Sequence, residues 1–254
     1  MIDPRAITIV FQGQLSPPAS PAHSALAENV ARLRALLPGA PIMLGTWDGC
    51  AVSPGLGFDH VAFAADPGPL ASFKKNAPHA ENNVNRQLAG AAAVLRHVAT
   101  PYVLKLRLDS EVTHAGFLGW YASYGSNQDG RERIAVPGFF TLDPRMYERM
   151  PFHVSDWFAF GPTAQVRQLW NAPPMTAADA SWYDSHPHAP GSTFFDRRYR
   201  ARFAIEQYIA SHYARALGYP TPAFHNDCGA RVLNSHDRFM AREMLVLDPH
   251  QYGL

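Results

Sequence analysis

The sequence lacks the glycine-rich loops that identify the commonest phosphate-binding folds. No G-x-x-x-x-G-K-[ST] motif occurs, and the first apolar run, ITIVFQG at 7–13, is not followed by G-x-G-x-x-G. A G-x-S-x-G turn, which would indicate a hydrolase nucleophile, is also missing. These absences disfavour the usual ATPase, dinucleotide-binding and α/β-hydrolase classes.

Cysteines, long apolar runs and net charge are scarce as well. The two cysteines, Cys50 and Cys228, are too few for a disulfide framework. They are typical of a reducing compartment, although one bridge between them stays open. No window approaches the roughly 20 apolar residues of a membrane span, and we expect no signal peptide. The net charge of +1 gives no electrostatic reason to expect nucleic acid as a partner.

The composition is that of a folded globular protein. Hydrophobic residues make up 47% of the 254 residues and charged residues 17%, which is enough for a full core. A chain of this length suits one large domain or two small ones. Because no shift in composition resembles a linker, we expect a single domain over 1–254.

Short apolar runs alternate with helical patterns, most regularly in the first half. There the predicted strands are 7–13, 41–47, 60–68 and 102–112, and the predicted helices are 25–39 and 82–99. In the second half we predict strands at 133–140, at 152–161 and from 243, helices at 163–171 and 203–218, and a long loop at 172–196. This alternation predicts an α/β fold, with a mostly parallel, Rossmann-like central sheet flanked by helices.

Polar side chains cluster where the first four predicted strands end. In open parallel sheets the ligand binds outside the carboxyl ends of the strands. We therefore expect a ligand site that includes Gln12, Gln14, Thr46, Trp47, Asp48, Asp66, Asp109 and Glu111.

The fourth run, YVLKLRLDSEV at 102–112, carries a charge at every second position. Lys105 and Arg107 are followed by Asp109 and Glu111, so a strand would place all four on one face. The two carboxylates suit Mg²⁺ or Mn²⁺ carrying a diphosphate. The alternative is that they are surface charges paired with their basic neighbours.

Cations for the same diphosphate are close in sequence. Arg86 belongs to the predicted helix that precedes this strand, while Lys105 and Arg107 belong to the strand itself. Each of them can add positive charge next to a phosphate group. We therefore include all three among the residues expected to bind the phosphates.

Two carboxylates of the second half are candidates for a general base. Asp156 lies in the aromatic run 152–161, and we rank it first because a solvated charge has no evident reason to be there. Glu206, at the start of a predicted helix, is the second choice. The alternatives are a structural aspartate bonded to loop backbone and a solvated helix residue.

Three tryptophans are candidates to stack on a sugar or base, namely Trp47, Trp157 and Trp182. Each also suits the core.

The order of these features resembles the nucleotide-sugar-binding half of GT-A glycosyltransferases. In that half an arginine-bearing helix precedes a strand that ends in an Asp-x-Asp motif. The chain resembles more closely the WavE family of lipopolysaccharide-synthesis proteins. The segments that carry this resemblance are ITIVFQGQ (7–14), GTWDG (45–49), DPG (66–68), NRQ (85–87), YVLKLRLDSE (102–111), SDWFAFG (155–161), LW (169–170) and VLDPHQYGL (246–254).

The resemblance implies a sugar transferase of bacterial surface-polysaccharide assembly. Its partners would be a nucleotide-sugar donor and a glycan or lipid-linked saccharide acceptor. It also implies one GT-A-like domain, in which 1–112 binds the donor and 113–254 faces the acceptor. The expected location is the cytoplasm, with peripheral association at the inner face of the inner membrane. Because the second acidic position is Glu111 rather than aspartate, dependence on Mg²⁺ or Mn²⁺ stays open.

Two other functions remain compatible with these patterns. One is a non-catalytic domain that binds a glycan or a nucleotide without turnover. The other is a nucleotidyltransferase on the same kind of sheet, although QGQLSPPAS after the first strand is a poor match to the basic glycine-rich loop of such enzymes. The sequence names neither the sugar nor the acceptor, and it leaves inversion and retention of the anomeric centre open.

Overall fold

The sheet is built from strands of both halves of the chain, in a computed structural model that describes residues 2–18, 20–77 and 81–253. Its strands are β1 (Ile7–Gln12), β2 (Ile42–Trp47), β3 (His60–Ala64), β4 (Tyr102–Arg107), β5 (Ile134–Pro137), β6 (Phe158–Pro162) and β7 (Met244–Leu247). The helices of these residues are α1 (Pro21–Leu36), α2 (Val84–Leu95), α3 (Phe117–Tyr124), α4 (Thr163–Leu169), α5 (Ala177–Ala180), α6 (Ile205–Ala216), α7 (Ala230–Glu243) and α8 (Pro249–Tyr252).

The seven strands within the described ranges lie in the order β3-β2-β1-β4-β6-β5-β7. Neighbouring strands are parallel except where β6 pairs with β4 and with β5. The predicted α/β fold with a mostly parallel sheet flanked by helices is therefore confirmed. The chain is an α/β domain with one mixed sheet.

Helices cover both faces of the sheet. Alternate side chains of β1 pack on opposite sides, so that Val10 joins α2, α4, α6 and α7, while Ile9 and Phe11 join α1, α3 and α8. Every residue of β1 is buried, as expected for a central strand covered on both faces. The polar ends of the strands are therefore where this sheet meets solvent.

Local sequence sets where α1 begins and ends. Ser20 caps its amino end by accepting a hydrogen bond from the backbone N–H of His23 at 3.2 Å, and Pro21 occupies the first turn. At the other end, Pro38 does not continue a helix, and Gly39 has φ of +83°. The helix thus starts four residues before the predicted span 25–39 and returns the chain to β2.

Two glycines allow α2 to lie close against the sheet. A Cβ atom on Gly45 of β2 would stand 2.2 Å from the carbonyl oxygen of Gly90, and one on Gly90 would contact Trp47 and Gln12. No side chain larger than hydrogen fits at Gly45 without moving the helix. This close packing sets the position of Arg86, one helical turn earlier, beside the ends of β1 and β2.

Two sequence expectations are corrected by the backbone. The predicted strand 102–112 ends at Arg107, because a turn follows in which the N–H of Ser110 donates to the carbonyl of Arg107 at 3.1 Å. Asp109 and Glu111 are therefore not on the strand face that carries Arg107. The predicted strand 152–161 begins only at Phe158, so Asp156 lies in the buried segment before β6. The bridge that stayed open does not form, since Cys50 and Cys228 are free thiols.

Helices α3 and α7 were missed for different reasons. Helix α3 is only eight residues long and has apolar or aromatic residues on most sides, so no stripe stands out. In α7 the buried positions follow helical spacing, but they are occupied by Val232, Ser235, His236, Phe239 and Glu243. Only two of these are hydrophobic, so a reading of apolar periodicity does not find the helix. Within the long loop predicted at 172–196, the structure adds the short helix α5.

Lys105 is the clearest departure from the predicted charged face. Its side chain is fully buried, its Nζ donates to the backbone carbonyl of Asp156 at 2.9 Å, and the same Nζ lies 3.7 Å from the centre of the Trp170 ring. Burial lowers its pKa to about 7. Lys105 thus stabilises the segment that leads to β6 through its bond to the Asp156 carbonyl. Because it is buried, it is not available to contact a phosphate directly.

The buried amine makes stability depend on pH. The pKa of Lys105 falls from 10.5 in the unfolded chain to about 7 in the folded protein. Its contribution to stability is therefore fully present above pH 10.5, where the amine is neutral in both states, and is lost as pH falls through about 7. We expect Lys105→Met to gain stability relative to the wild type as pH falls from about 10 to about 7. Denaturant unfolding at several pH values measures this difference. Lys75→Met, at an exposed lysine, is the control. A difference in unfolding free energy between Lys105→Met and the wild type that does not change with pH would contradict the lowered pKa of Lys105.

Candidate functional site

One edge of the sheet collects most of the residues predicted for a ligand site. The carboxyl ends of β1, β2, β3 and β4 meet there because these strands are parallel. The amino end of β6 joins them, since Phe158 pairs with Leu106 at the end of β4 in antiparallel register. The carboxyl ends of β5 and β7 lie at the same edge, because both strands run parallel to β4. Residues 138–141 and 153–157 are therefore brought to the region in which Arg107 and Asp109 lie.

The central feature of this edge is a cleft of about 300 Å³. It lies at the boundary between β1 and β4, where the strand order reverses direction, and such switch points are where open α/β sheets bind ligands. Among its lining residues are six that the sequence predicted: Gln12, Gln14, Trp47, Arg86, Arg107 and Asp109. The expectation that these side chains meet in one place agrees with the geometry.

A second cleft of about 240 Å³ adjoins the first. The two share Gln14, Leu108 and Asp109, and the second also contains Glu111 and the first turns of α1. Asp109 therefore stands on the ridge between them. Both acidic residues of the predicted metal pair face one cleft, although they do so from a turn and not from a strand.

Arg86 and Asp66 bind each other. The Nε and Nη2 atoms of Arg86 donate to the two carboxylate oxygens at 2.7 and 2.8 Å, while Nη1 reaches Glu81 and Asn83. This pairing holds the pKa of the Asp66 carboxyl below its usual range. Arg86 thus lines the cleft with its guanidinium already oriented. Asp66 does not line the cleft but holds the guanidinium of Arg86 in place.

Arg107 is bound in the same bidentate way. Its Nε and Nη2 donate to the carboxylate oxygens of Asp109 at 2.9 and 2.5 Å. Its guanidinium carbon lies 4.4 Å from the centre of the Trp157 ring, and Nη1 is 3.6 Å from Asp156. Arg107 is therefore the point at which the cleft residues of the first half and the second half of the chain meet.

The turn that carries Asp109 is held from α1. The amide of Asn29, which is buried, donates to the carbonyl of Ser110 at 2.8 Å and accepts from the N–H of Val112 at 3.1 Å. The carbonyl of Trp157 accepts from the N–H of Arg107 at 3.1 Å. These bonds fix the direction of the chain on both sides of Asp109, so its carboxylate is placed by rigid elements.

Asp109 and Glu111 do not form a metal centre as they lie. Both oxygens of Asp109 accept hydrogen bonds from Arg107, and Glu111 faces Arg32 at 3.6 Å. Within the described residues, no group of three or more His, Cys, Asp or Glu side chains gathers around a possible ion. A cation at this pair would also be repelled by Arg107. Binding of Mg²⁺ or Mn²⁺ by Asp109 and Glu111 therefore stays a prediction from the sequence.

Asp156 is a buried carboxylate without hydrogen-bond partners. Its side chain is 2% exposed, neither oxygen has a partner, and the nearest charge is Arg107 at 3.6 Å. A carboxylate so enclosed cannot be reached by an acceptor hydroxyl unless side chains move. Its position suits charge balance for Arg107 more directly than proton transfer.

Glu206 lies in the same group of charges and is not a solvated helix residue. It begins α6, and its side chain is 22% exposed. Burial raises the pKa of Glu206; His153, whose Nε2 lies 3.4 Å from the carboxylate, lowers it, and Asp156 raises it further. A partly exposed carboxylate with a raised pKa can accept a proton from a bound hydroxyl group. Of the two carboxylates, Glu206 is therefore the one that a bound molecule can reach.

Some predicted residues lie outside the cleft lining. Thr46 is fully buried, Asp48 is exposed beyond the end of β2, and Asp66 and Lys105 act through their partners. Conversely, Asn83 and Gln87 line the cleft and were not selected. The signal for Gln87 was present, because it follows Arg86 within the NRQ segment and therefore lies one position away on the same helix.

The fold and this edge together define an α/β protein with a polar ligand cleft at the switch point of its sheet. A family model for WavE lipopolysaccharide synthesis matches residues 7–254, and the chain belongs to that family. The family description implies a role in lipopolysaccharide synthesis. A comparison with curated proteins found no match. None of the helices in the part of the chain that the structure describes has the length and apolar character needed to span a bilayer.

Proposed function

We propose that the protein is a glycosyltransferase that moves a sugar from a nucleotide-sugar donor to a glycan acceptor during lipopolysaccharide or related surface-polysaccharide synthesis. The observation that carries this proposal is the 300 Å³ cleft at the end of β1 and β4, whose lining includes two arginines, two carboxylates, three glutamines and a tryptophan. This set offers cations for a diphosphate, an aromatic ring for a base or sugar, and amides for hydroxyl groups.

The donor's diphosphate is assigned to the arginine side of the cleft. Arg107 is oriented by Asp109 through Nε and Nη2, which leaves its Nη1 for phosphate oxygens. Arg86 is held by Asp66, Glu81 and Asn83, so only one N–H of its Nη2 remains for a phosphate. The amino end of α2 lies at the same place, because Asn83 and Gln87 line the cleft, and its backbone dipole favours an anion. These charges would stabilise the diphosphate as it leaves the sugar.

The acceptor is assigned to the side formed by the second half of the chain. Glu206 would take the proton from the attacking hydroxyl, while the oxygen bonds to the anomeric carbon and the bond to the diphosphate breaks. Arg107 would receive the developing phosphate charge, with Asp156 and Asp109 holding its guanidinium. In this proposal 1–112 binds the donor and 113–254 faces a glycan or lipid-linked saccharide at the cytoplasmic side of the membrane.

A panel of nucleotide sugars tests the function. The protein is incubated with uridine, guanosine, adenosine, thymidine and cytidine donors, with and without Mn²⁺, and release of the nucleotide is measured. We expect one nucleotide class to give turnover that increases with added acceptor. No hydrolysis and no transfer with any donor would contradict the assignment as an enzyme.

A non-catalytic binding domain is the second function that the same cleft permits. Such a domain would bind a nucleotide or glycan, and saturating ligand would raise the melting temperature by roughly 5–10 °C, but it would release no product. A nucleotidyltransferase would instead release pyrophosphate or join a nucleotide to its substrate. Nucleotide release from the panel separates a transferase from a binding domain, and pyrophosphate release from added nucleoside triphosphates would identify a nucleotidyltransferase.

A further inference from the structure

Two exposed aromatic side chains and a half-buried one form a surface beside the cleft. Phe139 and Phe140 follow the carboxyl end of β5 and are 48% and 46% exposed. Trp157 precedes β6, with its ring centre 5.6 Å from that of Phe139 and 6.2 Å from that of Phe140. Phe139, Phe140 and Trp157 are called the aromatic platform below. Contiguous exposed aromatic surface of this kind marks a binding site more often than an isolated exposed ring does.

The backbone of the platform is held in an unfavourable conformation. Phe140 has φ of +61°, which is uncommon for a residue with a side chain and is typical of functional positions. Its carbonyl accepts a hydrogen bond from Nδ1 of His153 at 2.9 Å. Thr141 donates to the carbonyl of Pro137 at 2.6 Å and accepts from the N–H of Ser155 at 3.1 Å. Since the ring of Phe140 is exposed, burial of that ring does not explain the strain.

The platform is continuous with the proposed reacting groups. Arg107 lies over the Trp157 ring at 4.4 Å and also lines the donor cleft. On the other side, His153 bonds to Phe140 through Nδ1 and faces Glu206 at 3.4 Å through Nε2. Arg107 therefore contacts the platform directly, and Glu206 is linked to it through His153.

We propose that the aromatic platform is the subsite that binds the acceptor saccharide. This inference rests on the proposed function and deepens it, because it gives the acceptor side a ligand class and a surface. A pyranose ring has flat faces of C–H groups, which pack on aromatic rings, and a rim of hydroxyl groups, which needs polar partners. The platform supplies the first requirement, and Glu206 and Arg107, which are both partly exposed, supply the second.

A saccharide suits this place better than a lipid surface or a second copy of the chain. Apolar partners would place Arg107 and Glu206 against hydrocarbon, where charged groups lose hydration without gaining partners. The hydroxyl rim of a sugar can satisfy the same groups. The proposal therefore commits to a saccharide, and the other two occupants are outcomes of the test.

The test removes the rings without disturbing the chain. Phe139→Ala shortens an exposed side chain, and Phe140→Gly removes the second ring while placing at φ of +61° the residue that tolerates it best. Binding is measured on an array of lipid-free oligosaccharides from bacterial lipopolysaccharides and capsules, followed by titration of the strongest binder. Tyr124→Ala is the matched control, because Tyr124 is 53% exposed and lies at the opposite edge of the sheet, next to the start of β5.

We expect the double variant to lose roughly tenfold to hundredfold in oligosaccharide affinity, while nucleotide binding and the Tyr124→Ala protein are unchanged. Oligosaccharide binding that survives both substitutions overturns the proposal, and so does the absence of any binder on the array. Loss of binding to anionic vesicles, or a dimer that dissociates in the double variant, would assign the platform to those partners instead. If no nucleotide binds but oligosaccharide binding still depends on the rings, the platform stands and the proposed transferase function fails.

Discussion

Asp109→Asn is expected to lower the rate of sugar transfer by about a hundredfold or more while the protein stays folded. The substitution keeps the shape of the side chain but removes the negative charge that holds Arg107 through two hydrogen bonds, at 2.9 and 2.5 Å. A guanidinium that is no longer oriented stabilises the departing diphosphate less well, and removing one preorganised contact of this kind costs on the order of 10²–10³ in rate. Steady-state transfer with the preferred donor measures the effect.

The chain provides a matched control for this substitution. Asp3 is also two residues from its arginine partner, binds Arg5 through both carboxylate oxygens, and is exposed. It precedes β1, however, and therefore lies at the opposite edge of the sheet. Asp3→Asn should leave transfer unchanged. Wild-type turnover by Asp109→Asn, or an equal loss in both variants, would remove Asp109 from the site.

Glu206→Gln is expected to lower kcat by about 10²–10⁴, with little change in donor affinity. A base that accepts the proton of the acceptor hydroxyl acts in the transition state, and general bases contribute about that factor. Because burial raises the pKa of Glu206, wild-type activity should fall as pH drops through a value above that of an ordinary glutamate. The acid limb of the kcat profile should then disappear in Glu206→Gln.

Asp156→Asn separates the two carboxylates. Its side chain is 2% exposed and faces Arg107, so we expect weaker donor binding and a smaller loss of kcat than for Glu206→Gln. Glu243→Gln is the control for removing a buried carboxylate, since Glu243 lies before β7 at the opposite edge. If Asp156→Asn were inactive while Glu206→Gln kept its activity, Asp156 would be the base, as the sequence predicted. Full activity in both would indicate a retaining mechanism that needs no such base.

The fold was predictable because its strongest signals are local. Apolar runs that end in glycine or Asp-Pro-Gly, and helices with clear periodicity, suffice for an α/β sheet with parallel strands in the first half. The ends of parallel strands must meet at one edge, so Gln12, Trp47, Arg86, Arg107 and Asp109 could be assigned to one site without a structure.

What could not be predicted depends on partners distant in sequence. Lys105 is buried because Trp170, 65 residues later, comes to lie under its amine. The turn that removes Asp109 from the strand is held by Asn29 of α1. Glu206 was expected to be the weaker base because a helix start is usually solvated, and only the packing of His153 and Asp156 around it changes that.

The structure of the protein with the nucleoside diphosphate that gives the largest thermal shift tests most directly that the edge of the sheet is a donor site. We expect the diphosphate oxygens within about 3 Å of guanidinium nitrogens of Arg107 or Arg86, and the nucleoside between Trp47 and the Gln12–Gln14 segment. The aromatic platform should remain open for the acceptor. A nucleotide bound anywhere else on the protein, with this cleft empty at saturating concentration, would contradict the donor site and the transferase function with it.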